Sequence, residues 1–309
     1  MASVDIEISE VGPRDGLQSI SPIMATEAKK AWISALAAAG LPEIEVGSFV
    51  PSKILPQLAD TAELVSHART IDGLAVAVLV PNLRGAVNAL EVRPHKMTIP
   101  LSVSETHSLK NLNRTHEQVL EEVRGIRAAI DALPTDERPS LEGSLSTAFG
   151  CTLEGNVPLA KVLEMAEKLM AAGCDEVGLS DTTGFANPVQ VRDYTRAIWD
   201  LLGRDSLNGI HLHNTRGQGL ANVLMAVELG FTTVDSSLGG LGGCPFAPGA
   251  SGNIVTEDLV WMLEAMGLKT GIDIDALLGV RELVQSALPG EPLYGFIPDA
   301  GVPKGFRPA

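Results

Sequence analysis

A strand-then-helix rhythm, repeated eight times, is what most constrains the fold of this chain. Short apolar or alternating runs at 4–9, 43–46, 74–80, 96–100, 141–147, 176–179, around His211 and at 232–235 read as strands. Helical segments follow each of them, at 26–39, in pieces over 52–68, then at 83–91, 115–133, 159–172, 189–202, 219–229 and 257–266. Strands separated by helices pair in parallel through right-handed crossovers. Eight such units predict an α/β fold of the (β/α)8 (TIM) barrel type. The runner-up, an open doubly wound sheet, would carry a glycine fingerprint after its first strand. Gly12-Pro13-Arg14-Asp15-Gly16 is not a GxGxxG. One further helix is expected at 274–287. Residues 1–288 are therefore read as one catalytic barrel domain. The Pro- and Gly-rich residues 289–309 are read as a tail, either a wrapping arm or lid or partly disordered.

Composition narrows the function classes. A net charge of −15 over 309 residues argues against nucleic acid or an anionic membrane as partner. It also means that an anionic substrate needs local positive charge, from a metal or from placed Arg and Lys. Cys151, Cys174 and Cys244 are widely spaced and odd in number, which predicts reduced thiols rather than a disulfide frame. The first strand begins near residue 4, and no apolar stretch approaches the roughly 20 residues that span a bilayer. A cytoplasmic protein is expected.

Barrel enzymes place their chemistry at the C-terminal ends of the strands, and the unusual residues of this chain gather there. In Gly209-Ile210-His211-Leu212-His213 the two imidazoles lie two residues apart, hence on one face of a strand. Converging imidazoles make half of a metal site, and Asp15 after the first strand is the natural third ligand. Asn253 can add an amide oxygen. Mixed N/O ligation suits Mg²⁺ or Mn²⁺, with Zn²⁺, Co²⁺ and Fe²⁺ open. Arg14 beside the metal suits an enolate or a polarised carbonyl, and equally an ion pair with Glu45 of the second strand. Cys244 lies in the glycine-rich loop Gly239-Gly240-Leu241-Gly242-Gly243-Cys244-Pro245, where a thiol can move a proton over the site. Cys151 and Cys174 read as small hydrophobes.

Four segments carry a resemblance: EVGPRDGLQ at 10–18, IEVGSFV at 44–50, the HxHNT stretch from His211, and VDSSLGGLGGCPFAPGASGN at 234–253. Together they resemble the 3-hydroxy-3-methylglutaryl-CoA (HMG-CoA) lyases, from about residue 5 to residue 287. The RDG and HxH elements are common to a wider superfamily that includes Claisen-type synthases; the glycine loop ending in GASGN is the more specific part. The resemblance implies a divalent cation on Asp15, His211 and His213, with Asn253 in or near the shell. It implies that Arg14 stabilises the enolate of departing acetyl-CoA and that Cys244 transfers a proton. Glu45, Asp181 and Glu257 are implied as supporting acids, Gln18 and Ser48 as part of the acyl-CoA pocket, and a homodimer or higher oligomer as the assembly.

Departures bear on the substrate. Asn214 and Arg216 stand where the family reads HxHDTYGQA, and Gln18-Ser19-Ile20-Ser21 lacks a family Lys. Ser104-Glu105 and Lys110-Asn111 keep the family's ASE…KN pattern. Arg216 is a candidate reader of a carboxylate or of CoA phosphates. HMG-CoA is the first substrate expected, giving acetoacetate and acetyl-CoA. Citramalyl-CoA, or another branched 3-hydroxyacyl-CoA, is the second. A Claisen-type synthase is a more distant alternative, and a non-haem iron oxygenase and a non-catalytic binding protein complete the rivals.

Overall fold

A computed structural model of the chain describes residues 4–242 and 252–309. Eight parallel strands close into a barrel in sequence order: β1 (Glu7–Glu10), β2 (Glu43–Ser48), β3 (Ala75–Leu79), β4 (Lys96–Ser102), β5 (Ser140–Ser146), β6 (Glu176–Asp181), β7 (Gly209–Leu212) and β8 (Thr233–Ser236). The crossover helices are α1 (Thr26–Ala38), α2 (Thr61–Ala68), α3 (Leu83–Val92), α4 (Glu105–Leu112) with α5 (His116–Asp131), α6 (Leu159–Ala172), α7 (Pro188–Leu202) and α8 (Gly219–Leu229). After β8 come α9 (Thr256–Ala265), α10 (Ile274–Ala287) and a short α11 (Ile297–Ala300). The barrel and the extra helix at 274–287 agree with the sequence. The differences lie at the mouth. β2, β4 and β6 run two residues beyond the expected 46, 100 and 179, and the 105–112 segment forms α4, capped by Ser104, whose hydroxyl accepts from His107 N.

Side-chain parity sorts this barrel into an apolar outside and a polar inside. Ile44, Val76, Ile99, Leu145, Val177 and Val234 point outward and are fully buried against the helices. Each buried side chain of this size contributes roughly 1.5–3 kcal/mol, so the layer between sheet and helices holds the fold. The inward positions are Ser9, Glu43, Glu45, Lys96, Glu142, Ser144, Ser180, His211 and Asp235, and they line a cavity of about 360 Å³. Branched apolar residues usually fill such an interior. Here Lys96 Nζ bridges Glu142 at 2.5 Å and Glu176 at 3.4 Å, and Ser9 Oγ donates to Glu43 Oε1 at 2.7 Å.

Closure between the last strand and the first is reinforced by a buried carboxylate. Glu10 Oε1 accepts from Gly12 N and Leu238 N, each at 2.9 Å, and Oε2 accepts from Thr256 Oγ1 at 2.7 Å. Residues 289–309, after α10, run back along α9. Tyr294 N donates to Gly239 O at 2.7 Å, Phe296 N and Ile297 N donate to the Asp258 carboxylate, and Ala309 N donates to Glu264 Oε2.

Burial pushes Glu10 up to about 8, against the pull of its three donors. A folded-state pKa above the unfolded value means that the native protein holds the extra proton. Stability from this group is therefore full below about pH 4.5, the ordinary glutamate value, and falls as pH rises through about 8. Glu10→Gln keeps the acceptor oxygen and cannot ionise. Urea unfolding at several pH values should show the variant gaining on wild type by on the order of 1 kcal/mol per pH unit across that interval. A pH-independent difference between the two proteins would contradict this origin.

Candidate active site

The first βα turn builds the floor of the site. Gly12–Gly16 forms one turn of π-helix, with Asp15 N and Gly16 N both donating to Val11 O, and it leaves Arg14 and Asp15 buried side by side. Arg14 Nε donates to Glu45 Oε2 at 2.5 Å and its NH1 to Asp15 Oδ1 at 2.6 Å. The ion pair weighed from the sequence is thus present, and it aims Arg14 along the cavity wall. Gln18 Nε2 also donates to Asp15 Oδ1, at 2.7 Å, while Asn253 Nδ2 donates to Oδ2 at 2.7 Å.

The other half comes from β7. His211 pairs in register with Asp235 of β8, and His213, just past the strand end, forms an antiparallel bridge with Asn253. The two imidazole Nε2 atoms face each other at 3.1 Å, and Asp15 Oδ2 lies 3.7 Å from that of His213 and 3.9 Å from that of His211. His211 Nδ1 is held by Asp235 Oδ2 at 3.0 Å, which leaves its Nε2 for the shared centre. Two facing imidazole nitrogens this close need a proton or a cation between them. With a carboxylate oxygen closing the triangle, the donor set fits a divalent cation.

Burial and charge compete throughout. Burial works to raise Asp15, but Arg14 and the two histidines outweigh it and hold the carboxyl well below its usual range. Burial raises Glu45 to about 7 in spite of Arg14, with Asp235 and Asp15 adding to the rise. Burial works against charge on His211, yet the hydrogen bond and charge of Asp235 leave its pKa raised.

Arg14, Asp15, Gln18, Glu45, His211 and His213 all line the cavity. Other expected residues are placed differently. Asn253 adjoins the triad but turns its amide nitrogen to Asp15, and its Oδ1 is buried without a hydrogen-bond partner among the described residues. Asp181 does not reach the cavity: its carboxylate accepts from Phe185 N at 2.8 Å and Ala186 N at 3.1 Å, building the turn after β6. Ser180, one residue earlier, is the one that pairs with His211 and faces inward. Ser48 also lies outside the cavity lining, its Oγ accepting from Val50 N. Arg216 is exposed; its NH1 donates to Thr183 O and Gly184 O, and its guanidinium lies 4.4 Å from the Phe185 ring centre. Cys244 lies outside the described residues. Glu257, at the start of α9, accepts from Gly239 N and pairs with Arg281.

The stem of the glycine loop packs on the floor. Gly242 has φ +104°, and a Cβ there would lie 2.8 Å from Gly16 Cα and 3.0 Å from Asn253 Nδ2. Only glycine allows this approach. Sequence reasoning passed over Asp235 and Lys96, because their relevance depends on which strands lie side by side.

A (β/α)8 barrel with an Asp–His–His donor set and a buried arginine at its C-terminal mouth defines a metal-site barrel enzyme. Comparison with known proteins makes the class specific. The HMGL-like family model matches residues 5–284. A Bacillus subtilis protein, hydroxymethylglutaryl-CoA lyase YngG, is 41% identical over 290 residues, covering 93% of this chain and 94% of that one. The human mitochondrial hydroxymethylglutaryl-CoA lyase is 40% identical over 283 residues, covering 92% and 86%. Among solved structures, an HMG-CoA lyase from Acinetobacter baumannii in complex with coenzyme A and 3-methylmalate superposes with a TM-score of 0.90 at 38% identity, covering 100% of this chain and 99% of that one. The chain belongs to the HMGL-like family and is a carbon–carbon lyase.

The two acceptors of the β6 turn give a stability prediction. Asp181→Ala leaves one buried and one part-buried backbone N–H group unpaired and should cost about 2–4 kcal/mol. Arg216→Ala, at an exposed site, should cost under about 1 kcal/mol. Urea midpoints of both variants check this; equal costs would remove the distinction.

Proposed function

We propose that this protein cleaves 3-hydroxy-3-methylglutaryl-CoA to acetoacetate and acetyl-CoA with a divalent cation, Mg²⁺ or Mn²⁺ first and Zn²⁺ or Co²⁺ next, held by Asp15, His211 and His213. The observation that carries this reading is the convergence of those three donors beside Arg14 and Glu45 in one cavity. The curated relatives named for that reaction, each about 40% identical over most of the chain, support the substrate.

A divalent cation in this site supplies Lewis-acid stabilisation of substrate oxygens. The chain's own residues do the rest. Among the described residues Glu45 Oε1 is buried without a hydrogen-bond partner, and a carboxyl near 7 is matched to taking the proton of the tertiary hydroxyl. As that proton leaves, the bond between the hydroxyl-bearing carbon and the CH₂ of the thioester breaks. Its electron pair moves into an acetyl-CoA enolate, and the hydroxyl carbon becomes the ketone of acetoacetate. Arg14, its planar fork fixed by Glu45 and Asp15, meets the enolate oxygen. A proton then returns to the enolate carbon, the role assigned to Cys244. Gln18 and Asn253 hold Asp15 in place. The acyl-CoA is the only partner this mechanism needs, and among the described residues no helix is long and apolar enough to cross a membrane. A cytoplasmic enzyme assembled as a homodimer or higher oligomer completes the reading.

One observation favours a second substrate. The Acinetobacter baumannii neighbour was crystallised with coenzyme A and 3-methylmalate, a branched five-carbon hydroxy diacid. Its size is that of the acyl part of citramalyl-CoA, whose cleavage gives pyruvate and acetyl-CoA.

Chelation should abolish acyl-CoA cleavage and Mn²⁺ or Mg²⁺ should restore it, whereas His213→Ala should lose at least about 10³-fold in kcat/KM and not recover. Acetoacetate and pyruvate release from the two thioesters decides the substrate. Fast pyruvate release with no turnover of HMG-CoA would replace the first reading by the second, and metal-independent cleavage would overturn both.

A further inference from the structure

The two histidines of the donor set are not equivalent. His213 Nδ1 is buried and has no hydrogen-bond partner among the described residues. His211 Nδ1 has one, Asp235 Oδ2 at 3.0 Å, delivered by the neighbouring strand at the same register. Asp235 is itself fixed from the other side, because its own strand pairs it with Ser9 of β1. Both strands are integral staves of the barrel, so neither partner depends on a mobile loop for its position.

We propose that Asp235 is a positioning residue of the reaction: it locks the His211 ring and tautomer so that Nε2 is presented as a lone-pair donor to the cation. This inference rests on the reading that Asp15, His211 and His213 hold a divalent cation. A neutral imidazole has one N–H and one lone pair, and the atom that hydrogen-bonds a carboxylate keeps the hydrogen. The Asp235 carboxylate therefore assigns the hydrogen to Nδ1 and leaves Nε2 aimed at His213 Nε2 and Asp15 Oδ2. It also stops rotation of the ring about its Cβ–Cγ bond. Carboxylate partners of this kind raise the basicity of a ligating imidazole, and their removal weakens metal affinity by about 10–100-fold. Without Asp235 the pair would be two imidazoles free to share a hydrogen across their 3.1 Å contact, a worse metal site made of the same ligands. A polar residue near the end of an eighth strand looks, in sequence, like any turn-forming aspartate; the pairing of β7 with β8 gives it this role.

The test is Mn²⁺ binding to metal-stripped full-length protein, followed by the electron-paramagnetic-resonance signal of free Mn²⁺, in wild type, Asp235→Asn and Asp235→Ser. His213→Ala serves as the reference for loss of the site. Asn keeps the size and an acceptor oxygen but not the charge; Ser is the second variant should Asn fail to fold, and circular dichroism of the metal-free proteins reports folding. The Mn²⁺ Kd should rise by about 10–100-fold in a folded variant. The Mn²⁺ concentration for half-maximal activity should rise in step, while kcat at saturating Mn²⁺ falls by a smaller factor. A merely structural aspartate would lower thermal stability and leave the Kd alone. A folded variant that binds Mn²⁺ within twofold of wild type overturns the role of Asp235 and leaves the metal reading intact. Wild type that binds Mn²⁺ no better than His213→Ala overturns both.

Discussion

Everything at the mouth of this barrel depends on the pairing of its last strand with its first. Parallel registration of β8 on β1 sets Asp235 beside Ser9 and carries Val11 N to Ser236 O at 2.8 Å. That contact brings together segments more than 220 residues apart in sequence: the Arg14–Asp15 turn, the Gly239–Gly242 stem and Asn253. Glu10 is the residue that stitches them, with donors from the first turn, from the Leu238 turn and from α9. The loop-closure cost of joining distant segments is met once, by the barrel, and the local hydrogen bonds then act within an assembled frame. This is why the donor set can be preorganised although Asp15 and His213 lie 198 residues apart in sequence.

The polar interior follows from the same closure. A barrel normally gains stability on both faces of its sheet, outside against helices and inside among layered branched side chains. Here the inner face is given over to carboxylates, a lysine, serines and histidines, and the helix-facing layer carries the apolar burial. The buried charges are tolerated because they are paired: Lys96 with Glu142 and Glu176, Arg14 with Asp15 and Glu45, His211 with Asp235. Pairing does not make such groups a source of stability, since desolvation consumes most of the Coulomb gain. Their value is geometric. Apart from Arg14 with Asp15, which share the first turn, each pair joins two strands or a strand to that turn, so the closed sheet determines where these charges sit.

How much of this the sequence disclosed depended on whether a residue's partner lay on its own strand or on another. The two histidines were legible because a strand's period of two needs nothing beyond the strand itself. Asp15 was legible because an Arg-Asp pair among turn residues is unusual after a first strand. Asp181 was misplaced for a reason of parity. With the sixth strand ended at residue 179, Asp181 reads as a loop acid free to face the site. The strand in fact continues to Asp181, which keeps it on the same face as Val177 and Leu179 and gives the inward position to Ser180. Ser48 followed from the resemblance and Arg216 from its charge at a departure from the family pattern, and each is engaged by nearby backbone instead. The α4 helix escaped notice because Ser104–Asn113 has a cap at each end but few apolar residues between them, so its periodicity is weak.

Charge decides how an acidic protein can receive an anionic thioester. At the centre of the cavity stand one guanidinium, Arg14, and three carboxyl groups, Asp15, Glu45 and Asp235. With all of them ionised that set is negative and would repel the carboxylate and phosphates of an acyl-CoA. Two features of the chain move it the other way. Burial brings Glu45 up to about 7, so that near neutrality this group is protonated for part of the time. The facing nitrogens of His211 and His213, with Asp15, define a place where a divalent cation adds two positive charges without adding a side chain. On the proposed reading, the cation then has two duties that cannot be separated. Held by Asp15, His211 and His213, it would activate the substrate, and it would neutralise a cavity that the protein alone makes negative. A lysine would add only one positive charge, and the interior's Lys96 is already paired with Glu142 and Glu176 deeper in the barrel. The acidic character of the interior and its donor triad are therefore one design: the carboxylates that make the cavity hostile to a bare anion are those that hold and orient what makes it receptive.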